Sequence, residues 1–113
     1  MKGIDYATEK KVHENLLATY TIHLEGYPTT IDQDHEILRT QELTQNQKNA
    51  VDFRLGEKVI CKFFIDTSNY ALNLMKMKRV DAQKMINKLP VAIESMRSYL
   101  INILLPLIAA END

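Results

Sequence analysis

Cysteine, glycine and tryptophan are scarce in this 113-residue chain, which holds one cysteine, three glycines and no tryptophan. With Cys61 alone no intramolecular disulfide can form, and secreted domains of this size commonly depend on several. The expected compartment is therefore a reducing one, the cytoplasm or nucleus. Gly3, Gly26 and Gly56 stand too far apart to build a loop that cradles a nucleotide phosphate, because such loops need several glycines close together. An excess of one charge is lacking too. Lysine and arginine number 14 against 15 acidic residues, for a formal net charge of −1. Phosphate-backbone binders carry a clear cationic excess, so nucleic acid is not an expected partner. Met1 to Lys11 holds no apolar stretch of the kind a secretory leader needs. The one long apolar run, Tyr99 to Ala110, covers about twelve residues where a bilayer crossing needs about twenty, so no membrane crossing is expected.

What is present is an ordinary globular composition, 45% hydrophobic and 26% charged, in a chain long enough for one domain with one core. The apolar residues recur at helical spacing, and no stretch alternates as a strand does. The expected fold is all-α, a bundle or array of about four to six helices forming a single domain over residues 1–113.

A first helix is expected from Thr8 to Glu25, with Val12, Leu16, Leu17, Tyr20 and Leu24 inward and Gly26 as its stop. Thr30 and Gln33 have the spacing of a capping box, opening a short helix that ends near Arg39, with Ile31, Ile37 and Leu38 inward. Asp32 and Asp34 sit in its first turn, where the helix dipole favours negative charge. Thr44 and Gln47 repeat the box at the start of a third helix of about twenty residues, striped by Ala50, Val51, Leu55, Val59, Ile60, Phe63 and Phe64. Gly56 costs that helix about 1 kcal/mol against alanine, a cost that a close approach by a second helix would explain. Asp66-Thr67-Ser68-Asn69 reads as a break or kink, and Tyr70 to Arg79 as a further helical stretch, with Asp81 or Asn87 capping the helix after it. Pro90 suits the first turn of a last helix carrying Val91, Ile93, Met96, Leu100, Ile103, Leu104 and Leu107. Pro106 is expected to kink or end it, through its missing donor and its clash with the carbonyl of Asn102.

One series of residues is more specific. Pro28-Thr29-Thr30-Ile31-Asp32-Gln33-Asp34 leads to Ile37-Leu38, Leu43-Thr44, Ala50-Val51 and Arg54-Leu55-Gly56-Glu57-Lys58-Val59-Ile60. This series resembles the C-terminal substrate-binding domain of the Rubisco large-subunit lysine methyltransferases, which are SET-domain proteins. The resemblance is clearest over residues 14–64, and Asp32-Gln33-Asp34 departs from the more usual run of glutamates. It implies a helical domain that docks a protein substrate so that a lysine, or in some relatives a histidine, enters the active site of a SET domain. S-adenosylmethionine belongs to that SET domain. This chain carries neither a glycine-rich cofactor motif nor an Asn-His pair, and it is too short to build the SET fold. The chain is thus expected to have no catalytic, cofactor or metal residues and to be no enzyme by itself. It is read as either a piece of a larger methyltransferase or a standalone docking relative. The expected partners are a protein substrate, a ribosomal or translation component among the candidates, and a SET catalytic domain in cis or in trans.

Candidate protein-binding residues are Thr29, Thr30, Asp34, Arg54, Glu57 and Lys58. Each has a structural reading beside the functional one. The threonines and aspartates serve as caps. Arg54, Glu57 and Lys58, at i, i+3 and i+4, pair with one another or with Asp32 or Asp34 in ion pairs worth under about 1 kcal/mol each if exposed. His13, His23 and His35 are too scattered for a zinc site, and Asp32, Asp34 and Glu36 lack the glycine and distal glutamate of a calcium loop. Cys61 reads as a small core residue, and Met75, Met77, Met85 and Met96 as core fillers. Lys76, Lys78, Arg79, Lys84 and Lys88 form a basic cluster read as a solvated helix face, with an acidic protein partner as the alternative and nucleic acid a weaker one. The alternative to a docking domain is a structural module that forms a homodimer through Tyr99 to Ile108.

Overall fold

The computed structural model describes residues 5–113 and is all-α, with no strand among those residues. Met1 to Ile4, the start of the stretch read as carrying no leader, lie outside the described residues. Helix α1 spans Tyr6–Glu25 and opens on Asp5, whose carboxylate accepts the Thr8 N–H at 2.7 Å. Helix α2, Ile31–Thr40, and helix α3, Gln45–Leu74, each open on the expected capping box, at Thr30/Gln33 and Thr44/Gln47. Helix α4 is Arg79–Asn87, and a composite helix α5 runs Val91–Asn112.

α3 is 30 residues long, about 45 Å at 1.5 Å per residue, and sets the long axis of a molecule measuring 57 × 26 × 21 Å. Its radius of gyration is 17.7 Å, where a compact domain of this length has about 13 Å. The elongation follows from the packing. α1 runs back along α3, α2 lies on the first half of α3, and α4 and α5 cluster on its far end. The apolar core lies at that far end, where Ala71 and Leu74 of α3 and Met75 just after it meet Ala82 and Ile86 of α4 and Ile93, Leu100, Leu104, Leu105 and Ile108 of α5. Polar side chains close it off. The Met75 carbonyl accepts from the Tyr6 hydroxyl and, at 2.9 Å, from the Asn112 amide.

Several expectations are corrected. The third helix does not break at Asp66–Asn69. Asp66 pairs with Lys62 one turn earlier at 3.3 Å, and the Thr67 hydroxyl donates to the Phe64 carbonyl at 3.1 Å, so these polar groups are satisfied without leaving the helix. The segment Tyr70 to Arg79 is divided: α3 continues to Leu74, and α4 starts at Arg79. Neither Asp81 nor Asn87 caps it. The Arg79 N–H donates to the carboxylate of Asp113 at 2.9 Å, so the far end of the chain supplies the acceptor that the sequence around α4 lacks. Gly56 has no close neighbour; a Cβ built there meets nothing within 4 Å. Pro106 does not end α5. A π turn over Leu100–Leu104, in which the Leu105 N–H bonds the Leu100 carbonyl, widens the helix just before the proline and relieves its ring. α5 resumes as Leu105–Asn112.

The inward faces also differ. Val12 is exposed and His13 buried on α1; Val59 and Ile60 of α3 and Val91 of α5 stand in solvent. α5 as a whole is long and apolar enough to cross a membrane, because the helix that starts at Val91 adds its first turns to the apolar run Tyr99 to Ala110. Leu100, Leu104, Leu105 and Ile108 of that helix are buried in the core with α3 and α4.

Candidate functional site

The residues of the Pro28–Ile60 series meet where α1, the loop Gly26–Thr30, α2 and the first half of α3 come together. Thr30 is the N-cap of α2: its hydroxyl accepts the Gln33 N–H at 3.1 Å while the Gln33 side chain accepts the Thr30 N–H at 2.8 Å. That cap fixes the first turn so that Asp34 points inward, and Asp34 is buried. Lys58, from the facing side of α3, forms an ion pair with it, their side chains only 1% and 4% exposed. The Thr29 hydroxyl completes the node, donating to Asp34 at 2.5 Å and accepting from Lys58 at 2.7 Å. Burial pushes the Asp34 carboxyl up, but the hydrogen bonds from Lys58 and Thr29 and the nearby charges of Lys58 and Arg54 outweigh it and hold the pKa below the ordinary carboxylate value.

Beside this node the loop is pinned by Tyr27. Its hydroxyl donates to Glu57 at 2.5 Å, a bond that raises the phenol to about 12, and its ring lies 5.2 Å from the Lys58 ammonium. Arg54 is exposed, and among the described residues its side chain bonds only the Ala50 carbonyl, at 3.4 Å. Thr29, Asp34 and Lys58 are thus brought together, Glu57 is held next to them by Tyr27, and Thr30 and Arg54 face outward. Arg54, Glu57 and Lys58 do not pair with one another, because each finds a nearer partner elsewhere. Asp32 stays outside the node. The pairing of Lys58 with Asp34 is buried, so the small value of an exposed pair does not apply to it.

An open groove of about 450 Å³ runs along the outside of this junction. Leu24, Tyr27 and Ile31 line it as half-buried side chains, with Thr29 and Thr30 beside them, while Glu25, Asp32 and Lys62 stand exposed at its edge. Sequence periodicity missed Glu25, Tyr27 and Lys62 because the groove draws residues from α1, the loop, α2 and α3, which share no common spacing. The Tyr27-Pro28 turn was the one local signal.

A second polar cluster joins α1 to α5. The Tyr99 hydroxyl donates to Glu9 at 2.9 Å and lies 2.7 Å from His13 Nε2, while His13 Nδ1 is buried without a partner among the described residues. Burial lowers the His13 pKa against a smaller raising effect from Glu9, and burial with the Glu9 hydrogen bond raises Tyr99. Among the described residues no group of three or more His, Cys, Asp or Glu side chains is placed to hold a metal ion. Cys61 is buried.

No curated protein and no solved structure matches the chain. The family model described as Rubisco LSMT substrate-binding matches residues 2–60, just over half of the sequence. The matched span contains the whole of α1 and α2, the first half of α3 and every residue of the Lys58–Asp34–Thr29 node. By that match the chain belongs to the Rubisco LSMT substrate-binding family.

Proposed function

We infer that this chain docks the protein substrate of a SET-type protein methyltransferase and performs no bond chemistry itself. The SET domain, joined to it or acting in trans, binds S-adenosylmethionine and transfers the methyl group to a lysine or histidine of the docked protein. The observation that carries this reading is the coincidence of the family match with the rigid α1–α2–α3 junction and nearly all of its groove. A docking domain has to hold its partner in one orientation, and the buried Lys58–Asp34 pair fixes α2 against α3 in a single register. Holding the substrate raises its effective concentration at the active site and removes part of the orientational entropy from the reaction. The lone buried cysteine fits a reducing compartment, the cytoplasm or nucleus. Ribosomal and translation components are the first substrates to examine.

The non-catalytic half of this reading is tested by calorimetric titration of S-adenosylmethionine into the purified chain, with a parallel assay for labelled methyl transfer to lysate proteins. The expected result is no heat of binding and no label. Saturable cofactor binding contradicts it.

A further inference from the structure

We propose that the groove between the end of α1, the Gly26–Thr30 loop and α3 takes a basic segment of the docked protein, a lysine or arginine side chain set beside an apolar one. This inference rests on the docking reading above and names the substrate chemistry of that site. The groove's volume, about 450 Å³, lies within the usual range for sites that enclose a few side chains. Its half-buried lining, Leu24, Tyr27 and Ile31, is apolar, and the Tyr27 hydroxyl already donates to Glu57, so the tyrosine presents mainly its ring. The edge carries two exposed carboxylates, Glu25 and Asp32, and neither makes an ion pair or a side-chain hydrogen bond with any described residue. The one cation at the edge, Lys62, is paired with Asp66 at 3.3 Å. The groove therefore presents an apolar floor with a rim whose two carboxylates outnumber its one cation, in a chain whose formal net charge is only −1. An acidic segment would meet two like charges there. A purely apolar one would leave both carboxylates beside an uncharged surface. A cation carried next to an apolar side chain satisfies both parts, its stem covering the floor and its head reaching the rim.

The test uses the full chain and two labelled synthetic peptides of glycine and serine, one bearing a leucine between two lysines and the other with glutamates in place of the lysines. Binding is read by fluorescence anisotropy at low and at physiological salt. The lysine peptide is expected to bind, more weakly as salt rises, and the glutamate peptide to bind far less. The double variant Glu25→Gln/Asp32→Asn should weaken the lysine peptide by about five- to tenfold. Glu25→Gln alone, which leaves the first turn of α2 untouched, should weaken it by about two- to threefold and keeps the test valid if the double variant folds poorly. Equal binding of the two peptides, or wild-type affinity in the variants, overturns the proposal. Whether the chain captures a protein substrate at all is decided by separate experiments, so the groove assignment and the docking reading can each fail without the other.

Discussion

Lys58 and Asp34 meet across the α2–α3 interface with both side chains almost fully removed from water, and the Thr29 hydroxyl bridges them. Taking two charges out of water is costly, and their attraction offsets that cost only when geometry and hydrogen bonding are good. Here Thr29 supplies the extra hydrogen bonds. The pair therefore contributes less to net stability than to specificity, since a slip of α2 along α3 would strand a buried charge on each side.

Removing one partner should be much worse than removing both. Asp34→Ala is expected to destabilise the chain by about 3–5 kcal/mol, because it leaves the Lys58 ammonium buried alone. The double substitution Asp34→Leu/Lys58→Met should recover most of that loss while loosening the orientation of α2. Urea unfolding of the three proteins measures both effects. A single-variant loss under about 1 kcal/mol would show that the pair is solvated in solution.

Acid should weaken the fold in two separate steps. His13 titrates in the folded protein below its ordinary value of 6.5. As pH falls below 6.5, the unfolded chain takes up a proton that the folded chain refuses, and stability declines until the lower, folded-state pKa is passed. Asp34 follows the same rule in a more acidic window. Its folded pKa lies below 3.8, so its contribution is complete above that value and is lost as pH falls through the folded pKa. Stability followed from pH 8 downward should show the first decline removed by His13→Phe and a second, beginning only below about pH 3.8, retained. A wild-type profile flat between pH 7 and pH 5 would contradict the burial of His13.

Gly56 should be replaceable at a gain. It lies inside α3, and a Cβ there meets nothing. Gly56→Ala is expected to stabilise the chain by about 0.5–1 kcal/mol through helix propensity and the reduced entropy of the unfolded chain. A loss of stability on urea unfolding would mean that another group approaches this position after all.

The local punctuation of the fold was legible in the sequence. Thr30/Gln33 and Thr44/Gln47 cap helices because the capping box depends only on residues three apart. The approach of Lys58 to Asp34 was open to sequence reasoning as one pairing among several, but its burial was not. Periodicity assigns charged residues to the outer face, whereas Asp34 of α2 and Lys58 of α3 are buried at the interface beside apolar neighbours. His13 escaped for the same reason, since its partner Tyr99 is 86 residues away. The polar run Asp66–Asn69 has side chains that can compete with the helix, but Asp66 and Thr67 find partners within it, and the buried Ser68 hydroxyl, with no partner among the described residues, does not break it. Pro106 was read from its local clash alone, and the upstream π turn that accommodates it has no sequence signature. The groove draws on residues of α1, the loop, α2 and α3, so its charge balance became visible only once Lys62 was seen to pair with Asp66.

The most direct test of the docking account is capture of proteins from cell lysate on the immobilised chain, followed by cross-linking and mass spectrometry. The wild type should retain one or a few defined proteins, cross-linked to residues of α1, α2 and the first half of α3, and Asp34→Ala should lose them. Retention of nothing above background, or cross-links confined to α4 and α5 and unaffected by Asp34→Ala, would contradict it.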